Sequence, residues 1–244
     1  MRSFHTVDFL VCLTLCLGCA ARDVRPVKTP SEKADAASAD GGRKTSLMLA
    51  VESSDLSGVA SLITAGADLG AIDSEGLTAL MQAVLSGNAM MVDVLLGGGA
   101  DENADLPDGR SLLFAAAALG HANVLDRLAQ EGVPIDRALE GFRECSGCTA
   151  LMAAAAEDQR DAVRVLNTRG ARLDAAGAQG RTALIVAAMR RHAEMVRLLL
   201  WIGADRDARD SAGETALSCA RENGYEETIR VLLENGAVIS LGQP

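Results

Sequence analysis

The sequence predicts an all-α solenoid: six helix-turn-helix repeats joined by β-hairpin-like finger loops. Three observations carry that expectation. Glycines recur at Gly76, Gly109, Gly147, Gly180 and Gly213, with gaps of 33, 38, 33 and 33 residues. A second series, Gly66, Gly99, Gly132, Gly170, Gly203 and Gly236, runs 33, 33, 38, 33 and 33, with the same five-residue excess in the same place. The units share the order G-x-[TS]-x-L (without the glycine in the first), an alanine-rich stretch, an apolar string that reads V-x-x-L-L in the second and fifth, then G-[AV]. A fixed period of this length marks an array in which each unit buries its apolar face against its neighbours.

In chain order, the first element is a targeting segment. "MRSFHTVDFLVCLTLCLGCAARD" begins with Arg2, runs apolar from Phe9 to Leu17, then reaches small residues. A run of about ten apolar residues is too short to span a bilayer but fits a signal-peptide core. Leu17-Gly18-Cys19 resembles the end of a bacterial lipobox, which implies acylation at Cys19, although Cys16 stands where that pattern usually has an aliphatic residue. Cleavage by an ordinary signal peptidase at Gly18-Cys19-Ala20 is the alternative. Residues 1–19 are therefore read as a signal peptide and 20–42 as a tether. The latter, "AARDVRPVKTPSEKADAASADGG", has no hydrophobic period, so it reads as disordered, with an end-to-end distance of roughly 25–30 Å. The expected location is the bacterial cell envelope, in the periplasm or lipid-anchored to the outer membrane, with secretion as the alternative.

The repeats then occupy residues 43–240, at about 43–75, 76–108, 109–146, 147–179, 180–212 and 213–240. Leu80, Ala83 and Val84, and again Leu184, Ala187 and Ala188, have the i, i+3, i+4 spacing of one buried helix stripe. Val92, Leu95 and Leu96, and again Val196, Leu199 and Leu200, supply the second helix. Gly66, Gly99 and their counterparts follow that helix, where a left-handed stop is needed. The last unit carries Arg221, Glu222, Glu226, Glu227, Arg230 and Glu234, as a solvated cap should.

Compared side by side, "GLTALMQAVLSGNAMMVDVLLGGGAD", "GRTALIVAAMRRHAEMVRLLLWIGAD" and "GETALSCARENGYEETIRVLLENGAV" each resemble the ankyrin repeat. That family's first helix opens T-P-L-H and its second carries V-x-x-L-L-L-x-x-G-A-D. Ala replaces Pro here, and Met, Ile, Phe or Ser replaces His. The resemblance covers about four fifths of the chain. It implies a protein or peptide partner at the finger tips and at the exposed turns between paired helices. Mapped onto this sequence, the tips include Ser74, Glu75, Leu77, Pro107, Asp108, Arg110, Gln179, Arg181, Ser211, Ala212 and Glu214. The turns contribute Leu85, Ser86, Ala118, Leu119, Ala156, Glu157, Met189, Arg190, Glu222 and Asn223. From these and the irregular finger, the candidate partner-binding residues are Leu77, Leu85, Arg110, Leu119, Phe142, Arg181, Met189, Arg190 and Glu222. Leu85, Leu119 and Met189 form a discontinuous apolar line that suits a protein or peptide better than a metabolite.

Composition narrows the function further. The net charge is −10, the isoelectric point near 4.8 and the aromatic content 2%, a balance that argues against nucleic acid and anionic membranes as partners. Contact with a membrane is expected only through the N-terminal lipid, and the protein is expected to be monomeric. No phosphate loop, dinucleotide fingerprint or zinc-helix motif occurs, and "LLGGGADENAD" sits at the end of a second helix, where the dipole repels anions. No cofactor, metal or catalytic residue is assigned, and the protein is read as non-enzymatic. His121 and His192 fall at the turn between paired helices, where the family's histidine bonds neighbouring backbone. Cys219 reads as a core thiol. Trp201-Ile202 either packs on the adjacent loop or forms a contact patch.

Cys145 and Cys148 lie in the one irregular finger, "VPIDRALEGFRECSGC", with Gly147 between them. Their separation in a tight turn is compatible with a disulfide. Closing so short a loop stabilises by about 2 kcal/mol. Zinc needs four ligands, and a thioredoxin-like context is missing, so a disulfide clip is expected and a redox role is the lesser alternative. Three functions follow: a tethered interaction scaffold, an inhibitor or immunity-like partner of one secreted enzyme, and a Cys-x-x-Cys redox protein.

Overall fold

The computed structural model describes residues 44–139 and 147–237. Twelve helices are present among them, in six pairs. The pairs are α1 (Ser46–Glu52) with α2 (Leu56–Thr64), α3 (Ala79–Leu85) with α4 (Ala89–Gly97), and α5 (Leu112–Leu119) with α6 (Ala122–Gln130). They continue as α7 (Ala150–Ala156) with α8 (Arg160–Thr168), α9 (Ala183–Met189) with α10 (Ala193–Trp201), and α11 (Ala216–Glu222) with α12 (Glu226–Glu234). Odd-numbered helices stack on one another as an inner layer. Even-numbered helices form an outer layer, in which α2, α4, α6 and α8 stack in turn and α10 packs on α12.

The first residue of each T-x-L string starts an inner helix. Thr45, Thr78, Ser111, Thr149, Thr182 and Thr215 have extended backbone, and each hydroxyl accepts the N–H three residues on. Such a cap is worth about 1 kcal/mol. The leucine two residues later is fully buried in every pair: Leu47, Leu80, Leu113, Leu151, Leu184 and Leu217 are all 1–2% exposed. Between them lie short stretches of alanine, "LLFAAAAL" in α5 and "ALMAAAA" in α7, buried almost throughout. Small side chains let these inner helices approach closely while keeping the interior filled.

The outer helices contribute Leu95, Leu128, Leu166, Leu199 and Leu232, each at 0% exposure. Ion pairs latch neighbouring outer helices across the solvent face: Arg127 with Asp93, Arg169 with Asp126 at 2.7 Å, and Arg197 with Glu234 at 3.8 Å. These pairs are solvent-exposed, so they contribute less than the buried leucines.

Every outer helix ends before a glycine with positive φ, from +79° at Gly236 to +101° at Gly203. A left-handed residue also separates the two helices of each pair. Gly87, Gly120 and Gly224 take this role in three pairs, but Ser54, Asp158 and Arg191 take it in the others, at φ +57°, +52° and +64°. A side chain there crowds its own backbone.

The fingers differ from the expected hairpins. Their bases close by backbone hydrogen bonds, yet among the described residues the only β-pairing is an isolated bridge between Asp105 and Ser111. In the regular fingers three residues lie between the closing partners, as in Asp73 N–H to Leu77 O at 3.0 Å. That leaves room for one turn and no ladder.

Replacing Arg191 with glycine removes left-handed strain and is expected to stabilise the fold by about 1 kcal/mol, read as a higher urea midpoint. Leu128→Ala is expected to cost about 2–5 kcal/mol, because it empties a fully buried site between stacked pairs. An unchanged midpoint for Leu128→Ala would contradict the stacking described above.

Candidate partner-binding surface

Each finger is held rigidly enough to present its tip. In the first, the buried Asp73 carboxylate accepts the N–H groups of Glu75 and Leu77, both at 2.9 Å, and the Gln82 side-chain amide at 2.9 Å. Asp210 repeats this in the last finger, accepting the Ala212 and Glu214 N–H groups at 2.9 Å. Adjacent fingers touch through backbone. A side chain on Gly180 would come within 2.8 Å of the Ser211 nitrogen, and Ser211 N–H donates to Gln179 O at 2.9 Å. The tip residues Ser74, Glu75, Pro107, Asp108, Gln179, Ser211 and Ala212 are all exposed.

The enlarged finger keeps the same base. Leu139 N–H donates to Cys148 O, and Gly147 N–H donates to Leu139 O, both at 2.8 Å. These replace the bonds made by Asp73 with Leu77 and Gly76 in the first finger. The five extra residues therefore fall between Leu139 and Gly147. Cys148 takes the place of Leu77 and is 4% exposed. Phe142, Cys145 and Cys19 lie outside the described residues.

The structure separates the remaining candidates into three groups. Leu77, Leu85 and Leu119 are half-buried, and Glu222 is exposed. Arg110 and Met189 are buried, at 7% and 8% exposure, contrary to the expectation that they face a partner. Arg110 is turned inward by Asp108, which accepts its backbone N–H at 3.1 Å and its Nε at 2.7 Å. Met189 ends an inner helix in the middle of the array. The matching residues of its neighbours, Ala118 and Ala156, are also buried, whereas Glu52 and Glu222 at the two ends are exposed. Arg181 and Arg190 form a third group, guanidiniums drawn toward carboxylates: Arg181 Nε lies 3.8 Å from Asp210, and Arg190 Nη2 lies 3.8 Å from Glu157.

His121 and His192 act between pairs. His121 Nε2 donates to Leu85 O at 3.1 Å, and His192 Nε2 to Ala156 O at 2.9 Å. A carbonyl only accepts, so the proton resides on Nε2 in both rings. Cys219 is buried, and its thiol is pushed up to about 12, chiefly by desolvation. It is not a nucleophile at neutral pH. Among the described residues, no three His, Cys, Asp or Glu side chains converge as a metal site, and no helix is long and apolar enough to cross a membrane.

Trp201 and Ile202 divide the two possibilities open for them: Ile202 packs against the core, while Trp201 is 80% exposed. Four further exposed apolar residues escaped the sequence reading, Leu49 at 53%, Ile72 at 57%, Met90 at 62% and Leu233 at 44%. Ile72 stands where later fingers have Asp105, Ala138, Ala176 and Arg209. Alignment of the fingers would have singled it out.

Comparison with known proteins agrees with this architecture. The sequence profile described as "Ankyrin repeats (3 copies)" matches residues 26–105, 80–176 and 169–242. None of the curated proteins compared with the chain matches it. Ankyrin repeats generally mediate protein–protein interaction and are typically non-enzymatic. The matched segments span most of the sequence, and the chain belongs to the ankyrin-repeat family.

Proposed function

We propose that the protein is a non-enzymatic scaffold that binds a protein or peptide in the bacterial cell envelope, tethered by a lipid on Cys19. The observation that carries the binding reading is the row of exposed tips on fingers closed by backbone bonds, several of them in contact with the next. A rigid display loses little conformational entropy on association. The envelope reading rests on the apolar run from Phe9 to Leu17 followed by Leu17-Gly18-Cys19. A long tether before the first pair would let the array reach partners off the membrane surface.

Cys145 and Cys148 serve in this reading as a clip on the enlarged finger. Support comes from the place of Cys148 at the closing base of that finger, three residues after Cys145. A clip there would narrow the range of shapes the longer tip can take.

Crosslinking with mass spectrometry on cells expressing the full tagged chain tests the binding reading. Crosslinks to one or a few partners are expected from the finger tips, and a set confined to the outer helices would refute it. Changing Cys19 to Ser is expected to abolish metabolic lipid labelling and release the protein from membranes; persistence of both would exclude lipidation at that residue. In non-reducing peptide maps, Cys219 is expected to react with thiol reagents only after unfolding, and Cys145 with Cys148 only after reduction. Free thiols at both finger positions in protein from its native compartment would rule out the clip.

A further inference from the structure

The first two pairs differ from the rest in both charge and exposed apolar surface. Residues 45–109 hold ten carboxylates and no lysine or arginine. The whole chain has 33 acidic and 23 basic residues. The remainder therefore balances at 23 of each (33 − 10 = 23), and the net charge of −10 belongs entirely to this stretch. Basic residues outside the stretch pair with four of the ten, Glu52, Asp93, Asp105 and Asp108, and leave the other six without an ion pair. Lys44, just ahead, already bonds Glu52 and is held in its charged form by that contact and by the nearby Asp73 and Glu75.

Much of this charge lies on the first two fingers. Asp68 and Glu75 are exposed on the first, and Asp101 on the second beside half-buried Glu102; Asp105 and Asp108 are exposed there too but already pair with Arg137 and Arg110. Ile72 rises among them at 57% exposure, with half-buried Leu77 five residues on. In the repeat register Ile72 corresponds to Asp105 on the neighbouring finger, so the apolar residue and the carboxylates belong to one edge. Of the five large apolar side chains that stand exposed among the described residues, Leu49, Ile72 and Met90 fall within these same two pairs. Solvated carboxylates alone need no partner. An exposed isoleucine set among them, on fingers fixed by their own hydrogen bonds, is a surface with both a charge preference and an apolar anchor.

We infer that the edge formed by the first and second fingers docks a cationic, amphipathic segment of a partner protein. Lysine or arginine side chains of the segment pair with the carboxylates, and an apolar side chain covers Ile72. The excess of negative charge also steers such a segment toward this end of the array over the balanced remainder. This inference rests on the scaffold reading and names the chemistry of the partner.

The test uses the full chain and a labelled synthetic peptide of lysine and leucine with an amphipathic pattern, followed by fluorescence anisotropy. Two variants with the same change in net charge are compared. One carries Asp68→Asn, Glu75→Gln, Asp101→Asn and Glu102→Gln; the other carries Glu222→Gln, Glu226→Gln, Glu227→Gln and Glu234→Gln. The finger variant is expected to bind about tenfold more weakly, as the loss of four exposed ion pairs implies, and the C-terminal variant within about twofold of the parent. Ile72→Ser is expected to weaken the lysine–leucine peptide about fivefold and to leave oligolysine binding unchanged. Equal losses in the two charge variants would show unspecific attraction to an acidic protein and overturn the inference. An Ile72→Ser variant that binds like the parent would overturn the apolar anchor. Partner crosslinks that map elsewhere on the array would refute this edge while leaving the scaffold reading intact; no crosslinked partner at all would remove both.

Discussion

Everything in this molecule depends on burial between neighbours. An isolated pair of helices of seven to nine residues is too short to persist in water, and its apolar face has nothing within the pair to cover it. The leucine of each T-x-L string and the leucine of each outer helix lie at the interfaces between units. The first pair shows the same constraint from the other side. Leu62 is only half-buried, although its counterparts Leu95, Leu128, Leu166, Leu199 and Leu232 are completely enclosed.

Much of the fold was legible in the sequence because the constraints repeat. A backbone that must enter the left-handed region once per unit places glycine at a fixed interval, and all six stop glycines have positive φ. The Thr or Ser of each first helix recurs with the unit as well, and the structure gives it the role of helix cap. What the pattern did not reveal are departures made by single side chains. Serine, aspartate and arginine hold left-handed turns at Ser54, Asp158 and Arg191, where glycine is the simpler solution. The position of the five-residue excess was readable only to within the finger, whereas backbone closure fixes it between Leu139 and Gly147.

Exposure was legible for most finger-tip positions and misjudged at Arg110 and Met189. Tip positions emerge exposed because their place in the unit puts them beyond the last backbone bond. Arg110 does not, because the aspartate two residues before it is close enough to recruit both its backbone and its guanidinium. Met189 fails for a different reason. The ends of inner helices are covered in the middle of a stack and uncovered at its extremities, so exposure there depends on position along the array. Trp201 illustrates the opposite outcome: it ends an outer helix, and the half-buried Ile202 beside it, rather than the indole, meets the core.

The turn between paired helices couples one unit to the next in a way that bears on how such arrays change. The His121 ring lies over Gly87, where an added Cβ would come within 2.6 Å of Nδ1, and the Gln159 side chain lies over Gly120, where it would come within 2.1 Å of Oε1. The small residue in one unit and the large side chain in the following unit are thus two halves of a single joint. The inheritable module is this joint, running from one turn to the cap of the next helix, and not the helix pair by itself. Duplicating or excising a unit preserves packing only when the new neighbours restore matched halves. The joint also accepts a larger turn residue, since His192 reaches Ala156 O across the turn that holds Asp158 just as His121 reaches Leu85 O across Gly87.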